Sequence, residues 1–473
     1  MKSSVKTKKG IDKLTVLLYT ALVICGWINI YAVNISLDTT NYFDVSQDYF
    51  KQLIWIGISL IAIGIIMIVD GKFYVEFAYI LYILGILLLI AVRFLGVEIN
   101  GAKAWFRIGN FGFQPVELMK TATALAIAYY MSRFGFTFKK KTKLIPLSLI
   151  WVLPIALVIF QNDTGSALVF FSFFIVFFRE GLSPYVILFG LIAIIIFILT
   201  LIIANSTIFL ILGITLYFML FIKGLRKETM ISGLIVLVVF GLLSSIFYLT
   251  TGEIKYTVAM LPGFGIGCIY LLYKALLKKV KYIWFYILLF WGSIAFTYTT
   301  DYVFEKVLPE YQQTRIMVML GLKDDPLGAG YNVNQSKIAI GSGGLLGKGF
   351  LQGTQTKFNF VPEQNTDFIF CTVGEEWGFV GTSIVVLLFI ILLFRIIYLS
   401  ELQHSDFSRI YGYCVTSIFF FHFAINIGMT IGLAPVIGIP LPFFSYGGSS
   451  ILGFSILLFI FLKLDTYRNE LIR

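Results

Sequence analysis

The sequence contains few residues that bind transition metals or cross-link a chain. Only two of its 473 residues are histidine, His404 and His422, which excludes a zinc or haem site built on several histidines. The four cysteines stand far apart within or beside apolar runs and form no CxxC motif, so we interpret them as packing residues. Any bound metal would have to be a hard cation held by oxygen atoms.

Charged residues are also scarce. They make up 13% of the chain, about half of the roughly 25% typical of soluble domains, whereas hydrophobic residues make up 59%. Divided into spans of about 20 residues, that apolar content suffices for about fourteen membrane helices. The composition therefore excludes a water-soluble or disordered chain and predicts an all-α, polytopic membrane protein.

Fourteen apolar runs are candidates for these helices. The first follows a tail with five lysines and is too long for the apolar region of a signal peptide, so we expect an uncleaved first helix. The runs lie near 14–33, 53–69, 75–95, 117–133, 144–160, 165–178, 184–204, 207–222, 231–249, 257–277, 283–299, 367–398, 407–432 and 449–463.

The loops between these runs alternate in charge. Lys and Arg exceed Asp and Glu by 11, and the excess collects in connections such as 133–143, 223–228 and 273–281. Cytoplasmic loops carry this positive bias, which predicts both termini in the cytoplasm and an even number of helices. Because membrane topology accounts for the basic excess, we expect no nucleic-acid partner.

Three connections on the opposite side are unusual. Two are long and polar, 97–116 and 301–366, and the third, 433–450, is rich in proline and lies between the last two helices. Functional residues concentrate in loops held by rigid scaffolds. These segments therefore predict a site at the extracytoplasmic surface.

Two loop motifs allow more than one interpretation. Asp325 precedes Pro326 in a sequence typical of a turn, yet a carboxylate at the outer surface could also act as a general base. The segment 341–349, GSGGLLGKG, lacks the spacing of a nucleotide-binding phosphate loop, so we expect no nucleotide. It is either a backbone cradle for a phosphate or a flexible loop.

Several charged and polar residues fall within or beside the apolar runs. Glu117 and Lys120 are three residues apart on one helix, so they share a face and can pair. Glu375 and Glu376 lie about two turns into a helix predicted to begin at Asp367, where carboxylates usually face a cavity. Asn426 lies in the middle of another run and is interpreted as an interhelical hydrogen-bonding residue.

Taken together, these motifs resemble the SEDS (shape, elongation, division and sporulation) family, also called the FtsW/RodA/SpoVE family. The matching segments run in family order: NGAKAWFRIGNFGFQPVELMK, QNDTGSAL, YQQTRI, DDPLGAGYNVNQSKIAIGSGGLLGKGFLQGTQTKFNFVPEQNTDFIF, GEEWGFVG and NIGMTIGLAPVIGIPLPFFSYGGSS. The sequences of two of these segments, QSKIAIGSGG and GKGFLQGTQ, resemble the elongation branch of the family more than its division branch. One departure is Asn162, which stands where the family motif has proline, while Asp163 is kept.

The resemblance implies one membrane domain over residues 1–473, with a family core of about ten helices. About four extra helices are inserted within about 180–300, and 301–366 forms the large extracytoplasmic catalytic loop. The family polymerises lipid II, a disaccharide-peptide on undecaprenyl pyrophosphate. Asp325 aligns with its catalytic aspartate, which deprotonates the acceptor GlcNAc 4-hydroxyl for attack on the donor MurNAc. The substrate-binding residues expected on this basis are Trp105, Arg107, Glu117, Lys120, Asp163, Arg315, Lys348 and Asp367.

The resemblance also suggests cofactors and partners. A divalent cation, Mg²⁺ or Mn²⁺, is a candidate for the pyrophosphate charge. The expected partners are a class B penicillin-binding protein and other membrane proteins of the elongation complex, in a bacterial cytoplasmic membrane. Two alternatives stay open at this stage, a lipid II flippase and a non-catalytic scaffold for wall synthesis.

Overall fold

The computed structural model describes residues 10–35, 47–99, 101–109, 111–323, 325, 328–358 and 360–468. Within these ranges the chain is mainly helical. The helices are α1 (Lys13–Asn34), α2 (Asp48–Ile68), α3 (Gly71–Glu76), α4 (Ala78–Leu95), α5 (Pro115–Met131), α6 (Lys141–Phe160), α7 (Thr164–Val169), α8 (Phe173–Arg179), α9 (Pro184–Ile202), α10 (Asn205–Ile222), α11 (Arg226–Thr251), α12 (Tyr256–Lys278), α13 (Tyr282–Tyr302), α14 (Glu310–Met319), α15 (Ala329–Ser342), α16 (Thr354–Lys357), α17 (Ile369–Glu401), α18 (Asp406–Thr430) and α19 (Gly448–Asp465).

Twelve helices in the described ranges are long and apolar enough to cross a membrane. They are α1, α2, α4, α6, α9 to α13 and α17 to α19. Two shorter elements complete the set: α5, and the composite of α7, a 3-10 turn and α8 over Thr164–Arg179. Together they occupy the fourteen positions that the apolar runs predict, which confirms a polytopic helical membrane protein.

The chain divides into two compact units. The first comprises the residues up to Ser183 and from Asp325 onward, and the second is Pro184–Asp324. In the first unit α19 is the central helix. In its most apolar stretch of 18 residues 83% of the residues are buried, against 17% in the corresponding stretch of α2. A helix that is apolar on all sides belongs in the interior of a bundle, and Phe454, Leu458 and Phe461 of α19 are almost fully buried.

The helix α5 lies beside α19 and carries the polar part of the core. It starts with Pro115, a residue suited to the first helical position because its missing N–H would be unpaired there. Alanine and threonine occupy 121–124, 126 and 128, and all of these side chains are buried. Small residues let membrane helices approach closely, so α5 can bring Glu117 and Lys120 into the middle of the bundle.

The long helix α17 differs from the single run predicted at 367–398. It begins at Ile369, so Asp367 lies before the helix and the predicted start was wrong by two residues. It is also broken at Gly378, whose backbone has φ +64° and ψ −159°. That conformation is accessible almost only to glycine. At this break a loop from residues 343–349 crosses the helix.

The polar connections contain regular structure that the sequence pattern did not predict. Three short antiparallel strands fill most of the first: β1 (Val97–Ile99), β2 (Ala102–Ile108) and β3 (Phe111–Phe113), in that order across the sheet. The segment 301–366 contains α14, α15 and α16 rather than an extended loop. The first polar segment therefore contains strands and the second contains helices in their described parts.

The second unit has its own core between α10, α11, α12 and α13. Gly267 of α12 allows close approach to α11, because a Cβ there would lie 2.9 Å from Ser232 Oγ. Ser232 Oγ in turn donates to the Gly267 carbonyl at 2.8 Å. An ion pair between Glu228 and Lys278 joins the start of α11 to the end of α12. The insertion expected at about 180–300 thus falls in this unit.

Candidate active site

Asp325 lies four positions before the first residue of α15 and is half-buried. Its carboxylate folds back over Gly328, where a Cβ would lie only 2.2 Å from Asp325 Oδ2. Glycine at 328 is therefore required for this carboxylate position. The carboxylate also lies near the N-terminus of a 14-residue helix, whose dipole favours negative charge.

The helix that follows this carboxylate, α15, is anchored to its neighbours. Ser336 of α15 is fully buried and donates to the Thr430 carbonyl at 2.9 Å. At the C-terminal end, Gly343 meets α17 so closely that a Cβ would lie 1.9 Å from the Gly374 carbonyl oxygen. These contacts fix α15, the helix that begins four positions after Asp325.

A buried charged cluster lies inside the first unit. The side chains of Glu117 and Lys120 are 3% and 2% exposed, and Lys120 Nζ lies 2.9 Å from the Glu117 carboxylate, which confirms the predicted pairing. Lys120 Nζ also lies 3.0 Å from His422 Nε2 and 4.8 Å from the centre of the Phe454 ring. A buried pair of this kind is stable only when further hydrogen bonds satisfy both partners.

His422 is the member of this cluster whose role sequence reasoning missed. Its Nδ1 lies 3.0 Å from the Pro440 carbonyl oxygen. A carbonyl can only accept, so Nδ1 carries the proton and Nε2 accepts from Lys120. The available signal was an ionisable residue within an apolar run, which is by default a functional candidate. Sequence reasoning used this histidine only to exclude metals.

Asp163 holds the outer end of α5 against α7. Its carboxylate accepts from the Ser166 backbone N–H at 3.0 Å, the Ser166 hydroxyl at 2.8 Å and Gln114 Nε2 at 2.8 Å. Gln114 is the N-cap residue of α5, three positions before Glu117. The carboxylate that the family motif retains thus fixes the start of the helix that carries Glu117 and Lys120.

Trp105 and Arg107 lie on β2. Trp105 is half-buried, and Gly112 of β3 packs over its indole, with a Cβ at 112 only 3.3 Å from Trp105 Cε3. Arg107 is exposed, and its Nε donates to the Gly109 carbonyl at 3.3 Å. The sheet therefore presents one exposed cation and one aromatic ring held in place.

Lys348 and Glu375 form a clamp for the loop that precedes α17. Glu375 is fully buried, and Lys348 Nζ lies 2.7 Å from its Oε1. The same carboxylate accepts backbone N–H groups from Thr354, Gln355 and Thr356 at 2.7 to 2.9 Å. The structure thus gives Lys348 a loop-holding contact, and a contact with substrate stays a prediction.

The glycine-rich segment 341–349 is packed backbone to backbone. A Cβ at Gly347 would lie 2.1 Å from the Glu376 carbonyl oxygen, and the Gly349 N–H donates to that same oxygen at 3.0 Å. Glycines are thus needed for close approach of this segment to the break in α17. The structure supports neither of the sequence interpretations, flexible loop or phosphate cradle.

The remaining two predicted residues lie elsewhere. Asp367 contacts the segment between α18 and α19, since a Cβ at Gly438 would lie 3.3 Å from its Oδ2. Asn426 ties both together by donating to the Asp367 and Ile439 carbonyls at 2.9 and 2.7 Å, which confirms its interpretation as an interhelical hydrogen-bonding residue. Arg315 lies on α14 in the second unit, with its guanidinium 5.6 Å from the Tyr311 ring centre.

Fold and site together define a class, a multi-pass helical membrane protein with a half-buried carboxylate just before an anchored helix and a charged cluster buried in its bundle. The chain belongs to the FtsW/RodA/SpoVE family of cell cycle proteins, whose sequence model matches residues 12–207 and 259–470. This confirms the resemblance to the SEDS family. The unmatched residues, 208–258, lie in the second unit and contain most of α10 and all of α11.

Curated relatives match most of the chain. The peptidoglycan glycosyltransferase RodA of Treponema pallidum (strain Nichols) is 32% identical over 444 residues, which cover 93% of this chain and 94% of the relative. The peptidoglycan glycosyltransferase MrdB of Escherichia coli (strain K12) is 31% identical over 420 residues, which cover 88% and 86%.

Solved structures have the same fold. One is described as "Structural coordination of polymerization and crosslinking by a peptidoglycan synthase complex"; a chain in it is 25% identical with a TM-score of 0.58, covering 98% of this chain and 99% of its own. The crystal structure of the rod shape determining protein RodA of Thermus thermophilus is 21% identical, with a TM-score of 0.56 and 98% coverage of both chains.

Proposed function

We propose that this protein is a peptidoglycan glycosyltransferase that polymerises lipid II during cell elongation and the maintenance of rod shape. The names of the curated relatives support the activity, and the solved structure of a rod shape determining protein supports the role in rod shape. The observation that carries the proposal in this chain is the half-buried carboxylate of Asp325, which lies over Gly328 just before the anchored helix α15.

In the proposed reaction Asp325 is the general base. It takes the proton from the 4-hydroxyl of the acceptor GlcNAc, and the oxygen attacks the anomeric carbon of the donor MurNAc. A new glycosidic bond forms as the bond to pyrophosphate breaks, with inversion at that carbon. Because the leaving lipid pyrophosphate is a stabilised anion, the step needs no strong acid.

Cations of the chain would stabilise the leaving group. Arg107 is exposed on β2 and is free of any carboxylate in the described contacts, so it suits a direct contact with pyrophosphate. Lys120 is already paired with Glu117, and we assign both to electrostatic support of the site from within the bundle. The Trp105 ring can stack on a sugar or line the path of the lipid.

A divalent cation would fit this scheme only as part of the substrate complex. No cluster of three or more His, Cys, Asp or Glu side chains that could hold a metal occurs among the described residues. Mg²⁺ commonly binds through one or two carboxylates together with substrate phosphates. A metal carried by the pyrophosphate is therefore compatible with this chain, and a resident metal centre does not fit the described residues.

The proposal places the protein in the bacterial cytoplasmic membrane with both termini in the cytoplasm. The basic loops support this orientation, which puts Asp325 at the outer surface, where lipid II presents its sugars. The solved relative belongs to a complex that coordinates polymerisation and crosslinking. We accordingly propose a class B penicillin-binding protein as the partner, together with other membrane proteins of the elongation complex.

The test measures three properties of wild type and Asp325→Ala with the cognate transpeptidase: polymerisation of labelled lipid II, lipid II transport in vesicles and recovery of the partner. We expect long glycan from wild type, none from the variant, and unchanged transport and partner recovery. Loss of transport in the variant would favour a flippase. Equal glycan from both proteins would refute Asp325 as the base, and absence of glycan from a folded complex would favour a scaffold.

A further inference from the structure

The second unit contains a long apolar groove between α10 and α11, with α12 as its floor. Its volume is about 920 Å³. On α10 it is lined by Leu210, Ile214 and Phe218, which follow one another every four residues along one face. Gly233 of α11 faces it, and a Cβ at this position would meet nothing within 4 Å, so the glycine leaves the groove open.

The dimensions of the groove fit hydrocarbon chains. On α10 it extends from Ser206 to Phe221, a rise of about 22 Å. An apolar groove of this length accommodates extended acyl chains.

One end of the groove is positively charged. The guanidinium of Arg226 lies 5.3 Å from the centre of the Phe221 ring, and Phe221 is itself part of the groove wall. Tyr282 donates to the Lys223 carbonyl at 3.1 Å, which brings the basic segment 278–281 to the same end. Glu228, the acidic residue at this end, is paired with Lys278. The end therefore carries a net positive charge.

We propose that this groove binds one anionic diacyl phospholipid of the cytoplasmic leaflet. Its acyl chains lie between α10 and α11, and its phosphate meets Arg226. Basic pockets between membrane helices on the cytoplasmic side commonly bind anionic headgroups. Most of the residues that line the groove lie within 208–258, which the family sequence model leaves unmatched, so most of the site lies outside the segments that match the family.

A polyprenyl phosphate is the less suitable occupant. Its chain is longer than the groove, and the proposed reaction uses the polyprenyl carrier at the opposite surface of the membrane. The diacyl lipid matches both the length of the groove and the side on which its cations lie.

The test uses the delipidated full-length protein with equal amounts of phosphatidylglycerol and phosphatidylcholine, and native mass spectrometry of the bound lipids. We expect one retained phosphatidylglycerol. Arg226→Gln should reduce the preference for phosphatidylglycerol by about fivefold, the effect of one cation near a headgroup. Gly233→Leu, which fills the groove, should remove the retained lipid.

Matched variants control for surface changes. Gly241→Leu lies on the same helix, also in open space, but outside the groove wall, and should retain lipid as wild type does. Lys255→Gln removes a cation at the other end of α11 and should leave the preference unchanged.

Four outcomes would overturn the proposal. The first is equal lipid retention by Gly233→Leu and Gly241→Leu, which would indicate ordinary annular lipid only. The second is a preference that Arg226→Gln does not change. The third is displacement of phosphatidylglycerol by an equal amount of undecaprenyl phosphate. The fourth is loss of a co-purified membrane protein, rather than lipid, from Gly233→Leu.

Discussion

Glu117, Lys120 and His422 form a charged cluster whose side chains contact one another inside the bundle. Lys120 contacts Glu117 and His422, and His422 contacts the Pro440 carbonyl, while Glu117 Oε2 accepts no hydrogen bond from the described residues. The contacts join α5, α18 and the segment that precedes α19. The cluster therefore links these three elements of the bundle.

The cluster leads to a prediction about stability. Lys120→Met should destabilise the protein by about 3–5 kcal/mol, because it leaves the Glu117 carboxylate buried without its cation. The double variant Glu117→Gln, Lys120→Met removes both charges and should recover most of that loss. Thermal unfolding of Lys120→Met, Glu117→Gln and the double variant in the same detergent measures the coupling free energy between the two side chains. Additive losses would contradict a paired cluster.

At the scale of elements, the break in α17 is where the glycine-rich segment 341–349 packs against the helix. A Cβ at Gly378 would lie 2.3 Å from the Gly347 backbone nitrogen, and its φ of +64° disfavours any other residue. The loop clamped by Glu375 starts from this crossing. Helix break and loop therefore form one structural unit.

Gly378→Ala should strongly lower the melting temperature and the yield of folded protein, since both the backbone conformation and the space are lost. Gly57→Ala is the matched control, because it lies in α2 with nothing within 4 Å of a Cβ. The control should be neutral or slightly stabilising, as alanine favours helix more than glycine does. Similar melting temperatures for the two variants would show that the crossing tolerates a side chain.

The start of α1 is joined to α17 by an ion pair that depends on pH. Burial raises the pKa of Asp12, but hydrogen bonds from Arg395 and Thr15 outweigh it and lower the pKa from 3.8 to about 2. Arg395 donates to the Asp12 carboxylate at 2.5 and 3.2 Å. Since the folded-state pKa is the lower one, the pair stabilises the protein fully above about pH 4, and this stabilisation is lost as pH falls toward 2.

Arg395→Gln should therefore lower the melting temperature at pH 7, and the difference from wild type should shrink as pH decreases from 4 to 2. Arg93→Gln at the end of α4 is the control, whose guanidinium lies over an aromatic ring rather than in this pair. A difference between Arg395→Gln and wild type that stays constant down to pH 2 would contradict the ion pair.

At the scale of the whole molecule, local sequence patterns predicted the helices, whereas contacts between residues far apart in the sequence could not be predicted. Apolar runs located fourteen helices, because a membrane span needs a fixed length of apolar residues. The pairing of Glu117 and Lys120 followed from helical spacing. His422 lies 302 residues from Lys120, and no local pattern connects them. The Glu375 clamp and the helices within 301–366 likewise depend on tertiary packing.

For Asp325, part of the account was predicted from the sequence and part is given only by the structure. The sequence predicted an outer-surface carboxylate in a turn, and the family resemblance supplied its catalytic role. The close approach to Gly328 and the anchoring of α15 depend on backbone geometry that one sequence does not encode locally. The geometry explains why glycine follows the aspartate at this distance.

The most direct measurement is the single-turnover rate of lipid II polymerisation by Asp325→Asn, alongside lipid II binding, with the protein bound to its transpeptidase. Asparagine keeps the shape of the side chain but cannot take a proton. We predict a rate lower by at least about 100-fold with unchanged binding, and a normal rate for the control Asp406→Asn, an exposed aspartate. A rate for Asp325→Asn within about twofold of wild type would contradict the assignment of Asp325 as the general base.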